Sequence, residues 1–154
     1  MKKIISLMVI GLIMFAVSGY AVTTNDQTVG STAISAGLGT PVIVKGNASF
    51  ATTASGASDI YKVITIPAGY VVQGVAAKMK TAESVKGAGT YTVGTVANPT
   101  QYTTAALMTN TTSMTVSAIG SNEVYSAATT IVVCPSGVCT QGVVEVQACV
   151  IPFK

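Results

Sequence analysis

Residues 141–151 of this chain read QGVVEVQACVI, and this stretch decides the fold class. Apolar residues occupy every second position, at Val144, Val146, Ala148 and Val150. The positions between them hold Glu145, Gln147 and Cys149. Successive side chains of a β-strand point to opposite faces of a sheet. The alternation therefore predicts a strand with one face in a hydrophobic core.

The rest of the chain predicts further strands, which lie at residues 42–44, 60–66, 70–80, 90–93, 113–119 and 128–134. Gly46 and Asn47 are expected to end the first of them, and Pro67 to Gly69 form a turn. A short helical turn is expected only at residues 102–108. About eight strands with frequent turn signals predict an all-β fold, an antiparallel β-sandwich or jelly roll, over residues 41–154.

The N-terminus has the pattern of a secretory signal peptide. Lys2 and Lys3 precede an apolar run at residues 4–17, and Gly19 and Ala21 are the small residues of a cleavage site. Residues 1–21 are therefore predicted to be removed. An uncleaved anchor is the alternative, and it would be the only membrane contact, although a spanning helix needs about 20 apolar residues. Residues 22–40, rich in Thr, Ser and Gly, predict a flexible arm.

The composition excludes most catalytic chemistry. The chain has no His, Arg or Trp, and only 8% of its residues are charged. His is the usual general base near neutral pH, and Arg is the usual clamp for anions. We therefore expect no enzyme, no cofactor and no metal site. The lysines are scattered, which argues against nucleic acid as a partner.

The five acidic residues are well separated in the sequence. Three of them, Asp59, Glu83 and Glu123, fall in or beside predicted turns and are expected to be solvated. A pair of carboxylates for glycoside hydrolysis is therefore not indicated.

The cysteines fit an exported protein. Cys134 and Cys139 flank a Pro-Ser-Gly-Val turn between two valine-rich segments, and such a turn can bring two cysteines within bridging distance. The sequence predicts a Cys134–Cys139 disulfide. Cys149 is left as a free thiol or as an intermolecular bridge.

Several motifs resemble small β-sandwich proteins of tailed-bacteriophage virions, of the head-decoration or fibre type. Residues 58–152 carry the resemblance through turn and core positions: Ile66, Pro67, Ala68, Gly69, Val71, Val72, Val75, Thr81, Ala82, Thr90, Val93, Gly94, Ala97, Asn98, Pro99, Tyr102, and Tyr125 to Ile131. The resemblance implies a sandwich fold and assembly into a particle. The export signal and the cysteine pair depart from the family's usual pattern.

Two functions follow as hypotheses. The first is a non-enzymatic structural protein that assembles with itself, or with a larger shell or filament, at a virion surface or outside the cell. The alternative is a secreted adhesin-like or carbohydrate-binding module. Tyr102, Asn98 and Tyr125 are the candidate ligand or interface residues, because loop tyrosines and asparagines suit both roles.

Overall fold

The structure, a computed structural model, describes residues 24–26, 39–50, 59–83, 89–109, 114–116 and 123–153. These residues form ten strands: β1 (Thr24–Asp26), β2 (Val42–Ser49), β3 (Ile60–Ile66), β4 (Tyr70–Thr81), β5 (Thr90–Thr95), β6 (Thr103–Leu107), β7 (Met114–Val116), β8 (Glu123–Tyr125), β9 (Thr129–Pro135) and β10 (Val143–Pro152). No helix in this part of the chain is long and apolar enough to cross a membrane. The predicted signal peptide lies outside the described residues and stays a prediction.

Two sheets pack face to face. The β3 sheet has the order β1-β3-β9-β5-β6, and the β4 sheet has the order β2-β10-β4-β7, with β8 pairing further along the same edge of β4. Apart from β1, the strands follow the order of a jelly roll: they alternate between the two sheets except at β5 and β6, which are neighbours in the β3 sheet. Strands β7 and β8 together take the place of the sixth of eight strands. The predicted all-β, jelly-roll-like sandwich of about eight strands is confirmed.

The alternation that predicted β10 is visible in its burial. Inward positions of β10 are fully buried, and outward ones are half-exposed throughout Val143–Pro152. The strand lies at the centre of its sheet, where it pairs antiparallel with both β2 and β4. The core between the sheets is built mainly from valine, isoleucine and four aromatic side chains, Phe50, Tyr61, Tyr91 and Tyr102. Phe50 and Tyr61 meet edge to face with ring centroids 4.9 Å apart.

Two local predictions were wrong. Gly46 does not end β2, which continues to Ser49. A Cβ at Gly46 would lie 2.4 Å from the carbonyl oxygen of Val63, so the glycine is needed where β2 and β3 come closest together. Residues 103–107 form strand β6 rather than a helical turn, because their backbone pairs with the edge of β5 that β9 leaves open.

The chain segment predicted as a flexible arm contains a short strand. Thr24–Asp26 pairs in parallel with Ile60 to Lys62 at the edge of the β3 sheet. The Asp26 carboxylate lies 4.0 Å from the Lys62 ammonium group. The prediction for residues 27–38 lies outside the described residues.

Candidate functional site

A cleft opens at one end of the sandwich, where the β5–β6 loop, β8 and the start of β9 meet. Its volume is about 590 Å³. The described residues that line it carry hydroxyl, amide or small apolar side chains, and none of them is charged: Thr95, Val96, Ala97, Asn98, Gln101, Tyr125, Ala128, Thr129 and Thr130. Two of the three residues predicted to contact a ligand, Asn98 and Tyr125, therefore line one cleft.

The third predicted residue, Tyr102, lies directly behind this cleft. It is only 4% exposed and packs in the core. Its hydroxyl group is hydrogen-bonded to the hydroxyl of Tyr125, which is half-buried in β8. The Gln101 side-chain amide donates to the same Tyr125 oxygen over 3.3 Å. The tyrosine pair thus connects the β5–β6 loop of one sheet to the edge of the other and fixes the cleft floor.

Hydrogen bonds within the β5–β6 loop hold the cleft wall in one shape. The backbone carbonyl of Asn98 accepts from the backbone N–H groups of Thr95 and Gln101, at 2.9 and 3.1 Å. The Thr95 hydroxyl donates to the Gln101 side-chain oxygen at 3.0 Å and accepts from the Asn98 N–H at 3.1 Å. Gln101 was not predicted as a site residue, and its only signal in the sequence is its position next to Tyr102.

Gly94 allows this loop to fold back over its own strand. A Cβ at this position would lie 2.1 Å from the carbonyl oxygen of Asn98 and 2.5 Å from the carbonyl carbon of Pro99. Any larger residue would push the loop away from the sheet. Gly94, one of the residues that carry the resemblance to phage virion proteins, is therefore required for the close packing of the cleft wall.

The outer face of the β4 sheet has an apolar half and a charged half. The apolar half, called the apolar face below, consists of Ile43, Val71, Val124, Ile151 and Phe153, with Gln73 as the polar residue that lies among them. Three of these side chains are more than half exposed: Ile43 at 62%, Val124 at 51% and Phe153 at 69%. Monomeric soluble proteins rarely expose contiguous apolar patches without an interaction that uses them.

The charged half of the same face centres on Glu145. Its carboxylate accepts a hydrogen bond of 2.7 Å from the Gln147 amide and lies 3.8 Å from the Lys78 ammonium group. The Gln147 hydrogen bond lowers the pKa of Glu145 below its ordinary value, partial burial opposes this, and Lys78, Lys45 and Lys80 add to the lowering. These charged residues lie at paired positions of β2, β10 and β4, next to the apolar face and not within it.

None of the three cysteines forms a disulfide in this structure. Cys139 belongs to the core, where its thiol lies 3.1 Å from the Met108 sulfur. Cys134 alternates with the core residue Val133 and therefore points to the other face of the sheet. Cys149 lies on the outer face of the β4 sheet, 3.6 Å from the Gln73 side-chain oxygen. The predicted Cys134–Cys139 bond is not formed here and stays a prediction.

Glu83 was expected in solvent, and that expectation was wrong. The residue is 2% exposed. One carboxylate oxygen accepts from three successive backbone N–H groups, those of Thr140, Gln141 and Gly142, at 2.7, 3.0 and 3.0 Å. This carboxylate therefore ties the end of β4 to the turn before β10. Asp59 is likewise buried. Glu123, which was predicted in or beside a turn, is the first residue of strand β8.

Groups that could hold a metal ion are not found in the described part of the chain. No cluster of three or more Cys, Asp or Glu side chains occurs there. The buried Glu83 carboxylate is engaged by backbone donors, so its geometry supports a structural role rather than proton transfer.

Comparison with solved structures gives the class of fold. Chains from three phage capsid structures match: cyanophage Pam1 (TM-score 0.57, 18% identity, 79% of this chain and 94% of that one), Ralstonia phage GP4 (0.59, 12%, 77% and 88%) and Helicobacter pylori bacteriophage KHP30 (0.56, 11%, 77% and 92%). No known family and no curated protein matches the sequence.

The comparison establishes a shared fold. The matches span most of both chains, and what the chains share is their architecture. This is a jelly-roll domain of a type that occurs in phage capsids. The resemblance to phage virion β-sandwich proteins, drawn from the turn and core motifs, is confirmed at the level of fold.

Proposed function

We propose that this protein is a non-enzymatic structural component of a phage virion, of the head-decoration or fibre type that its motifs resemble. The supporting observation is the shared fold with chains of three phage capsid structures over most of their length. The low charge of the sequence, 8%, supports the same proposal, because weak electrostatic repulsion favours close packing of subunits. The protein then acts through its shape and its contact surfaces.

The apolar face is the proposed contact surface, and its occupant is a second copy of this chain. Its exposed side chains Ile43, Val124 and Phe153 are costly to leave in water, since burial of a large apolar side chain stabilises by about 1.5–3 kcal/mol. The adjoining charged half carries Lys45, Lys78 and Lys80 against one acid, Glu145, so we place the contact between copies on the apolar half alone. Assembly of copies also agrees with a shell component.

The test is the assembly state of the purified full chain, measured by sedimentation velocity and negative-stain electron microscopy over a range of concentrations. We expect discrete oligomers or larger particles, and we expect the double variant Val124→Asp/Phe153→Asp to remain monomeric. Val138→Asp is the matched control, because Val138 is 54% exposed but lies in the turn between β9 and β10. The control should assemble like the wild type.

Two results would overturn the proposal. The first is a wild-type chain that stays monomeric at every concentration. The second is equal assembly of the apolar-face variant and the control, which would place the contact elsewhere on the surface.

A further inference from the structure

The cleft at the end of the sandwich has a lining unlike the apolar face. The residues that line it include Asn98 and Gln101, which carry amides, Thr129 and Thr130, which carry hydroxyls, and Tyr125. Val96 and Ala97 add exposed apolar surface at the rim. The volume of about 590 Å³ lies within the range of small-ligand sites.

We propose that this cleft binds a neutral oligosaccharide, a function separate from assembly through the apolar face. Sugar hydroxyl groups both donate and accept hydrogen bonds, and amide and hydroxyl side chains can do the same. The C–H face of a pyranose ring needs an apolar or aromatic neighbour, which Tyr125 and Val96 offer. The lining therefore supplies both kinds of contact that a sugar requires.

The absence of charge among the lining residues sets the ligand class. A phosphate, sulfate or carboxylate would leave its charge without a cation, because none of the described residues that line the cleft is a lysine. Nucleic acids are disfavoured for the same reason, since phosphate neutralisation dominates their affinity. A neutral, hydroxyl-rich ligand can be bound without an unpaired charge.

The cleft is already organised before a ligand arrives. The Tyr102–Tyr125 hydrogen bond fixes the floor, and the Thr95–Asn98 and Thr95–Gln101 hydrogen bonds fix the wall. Asn98 is exposed and uses its side-chain oxygen to accept from the Thr100 hydroxyl at 3.1 Å, which orients its amide group. A preorganised site loses less conformational entropy on binding, which offsets the modest strength of each sugar contact.

The experiment is binding of the full chain to an array of neutral hexose, N-acetylhexosamine and deoxyhexose oligosaccharides, followed by calorimetry on the strongest probe. We expect Asn98→Ala to weaken that binding by roughly tenfold, because one hydrogen bond to the ligand is lost. Asn47→Ala is the matched control, since Asn47 is exposed on β2 away from the cleft. It should leave the affinity unchanged.

A second variant keeps the test valid if the loop in Asn98→Ala is disturbed. Ala128 is exposed in the lining, so Ala128→Trp fills the cleft without removing a hydrogen bond. We expect it to abolish binding while the melting temperature stays that of the wild type. No binding to any neutral probe, binding only to charged glycans, or full binding by Ala128→Trp would overturn the proposal. None of these results bears on assembly through the apolar face.

Discussion

At the scale of single residues, the most informative side chain is the buried carboxylate of Glu83. Burial of a charge is costly unless hydrogen bonds compensate it. Three backbone N–H groups supply that compensation within 3.0 Å. The side chain thereby fixes the path of the turn that leads into the central strand β10. The sequence places Glu83 beside a turn, and nothing in that pattern indicates these three hydrogen-bond donors.

Glu83→Gln tests this role. An amide offers one acceptor oxygen where the carboxylate has two, and its uncharged oxygen binds N–H groups more weakly. We expect a loss of about 1–3 kcal/mol in the free energy of unfolding, measured by urea denaturation. Glu145→Gln is the control; its ion pair with the partly exposed Lys78 predicts a change within about 1 kcal/mol. Equal changes in the two variants would contradict the assigned role.

The thiols provide a second residue-scale prediction. Burial raises the pKa of Cys134 to about 11, so its reactive thiolate is scarce at neutral pH. In the folded protein we expect iodoacetamide to alkylate Cys134 slowly, and mass spectrometry measures the extent of alkylation over time. In denaturant without reductant, all three cysteines should be alkylated. A single alkylated cysteine, Cys149, would instead establish the Cys134–Cys139 disulfide that the sequence predicts.

At the scale of elements, the contact between β2 and β3 depends on a glycine. Gly46 lies where the Val63 carbonyl group of the opposite sheet leaves no room for a Cβ. Sheets packed at this distance cannot separate locally without losing the surrounding core contacts of Ile64 and Ala48. The two sheets therefore approach each other closely at β2 and β3.

The prediction is that Gly46→Ala and Gly74→Ala act in opposite directions. Both glycines lie in strands of the β4 sheet, but Gly74 has nothing within 4 Å of an added Cβ. We expect Gly46→Ala to lower the free energy of unfolding by about 1–3 kcal/mol through overpacking. Gly74→Ala should raise it by about 0.5–1 kcal/mol, because alanine restricts the unfolded chain. Urea unfolding midpoints measure both, and a neutral Gly46→Ala would contradict the close approach.

At the scale of the whole molecule, the jelly-roll connection order brings distant segments together. β2 near the start of the domain pairs with β10 at its end, and both belong to the sheet that carries the apolar face. The same order places β8 beside the β5–β6 loop. One edge strand therefore serves two surfaces: Val124 contributes to the apolar face, and Tyr125 to the cleft. Assembly and ligand binding would take place on adjacent parts of the protein.

The sequence by itself determined the fold class and most strands. Period-two alternation in β10 and the β-branched run of β3 reflect a local rule, because each residue's position along a strand decides which face it occupies. Turn chemistry did the same for residues 67–69. The exclusion of a His-based or Arg-based site also follows from composition alone.

Only the tertiary structure decided which residues meet. The Tyr102–Tyr125 contact joins two sheets, Glu83 reaches a turn 57 to 59 positions away, and Gly46 faces a carbonyl of another strand. The local pattern around each of these residues suggested a loop, a solvated turn or a strand end. Contacts between sheets depend on the order in which strands are connected, and that order is not contained in the periodicity of any one strand.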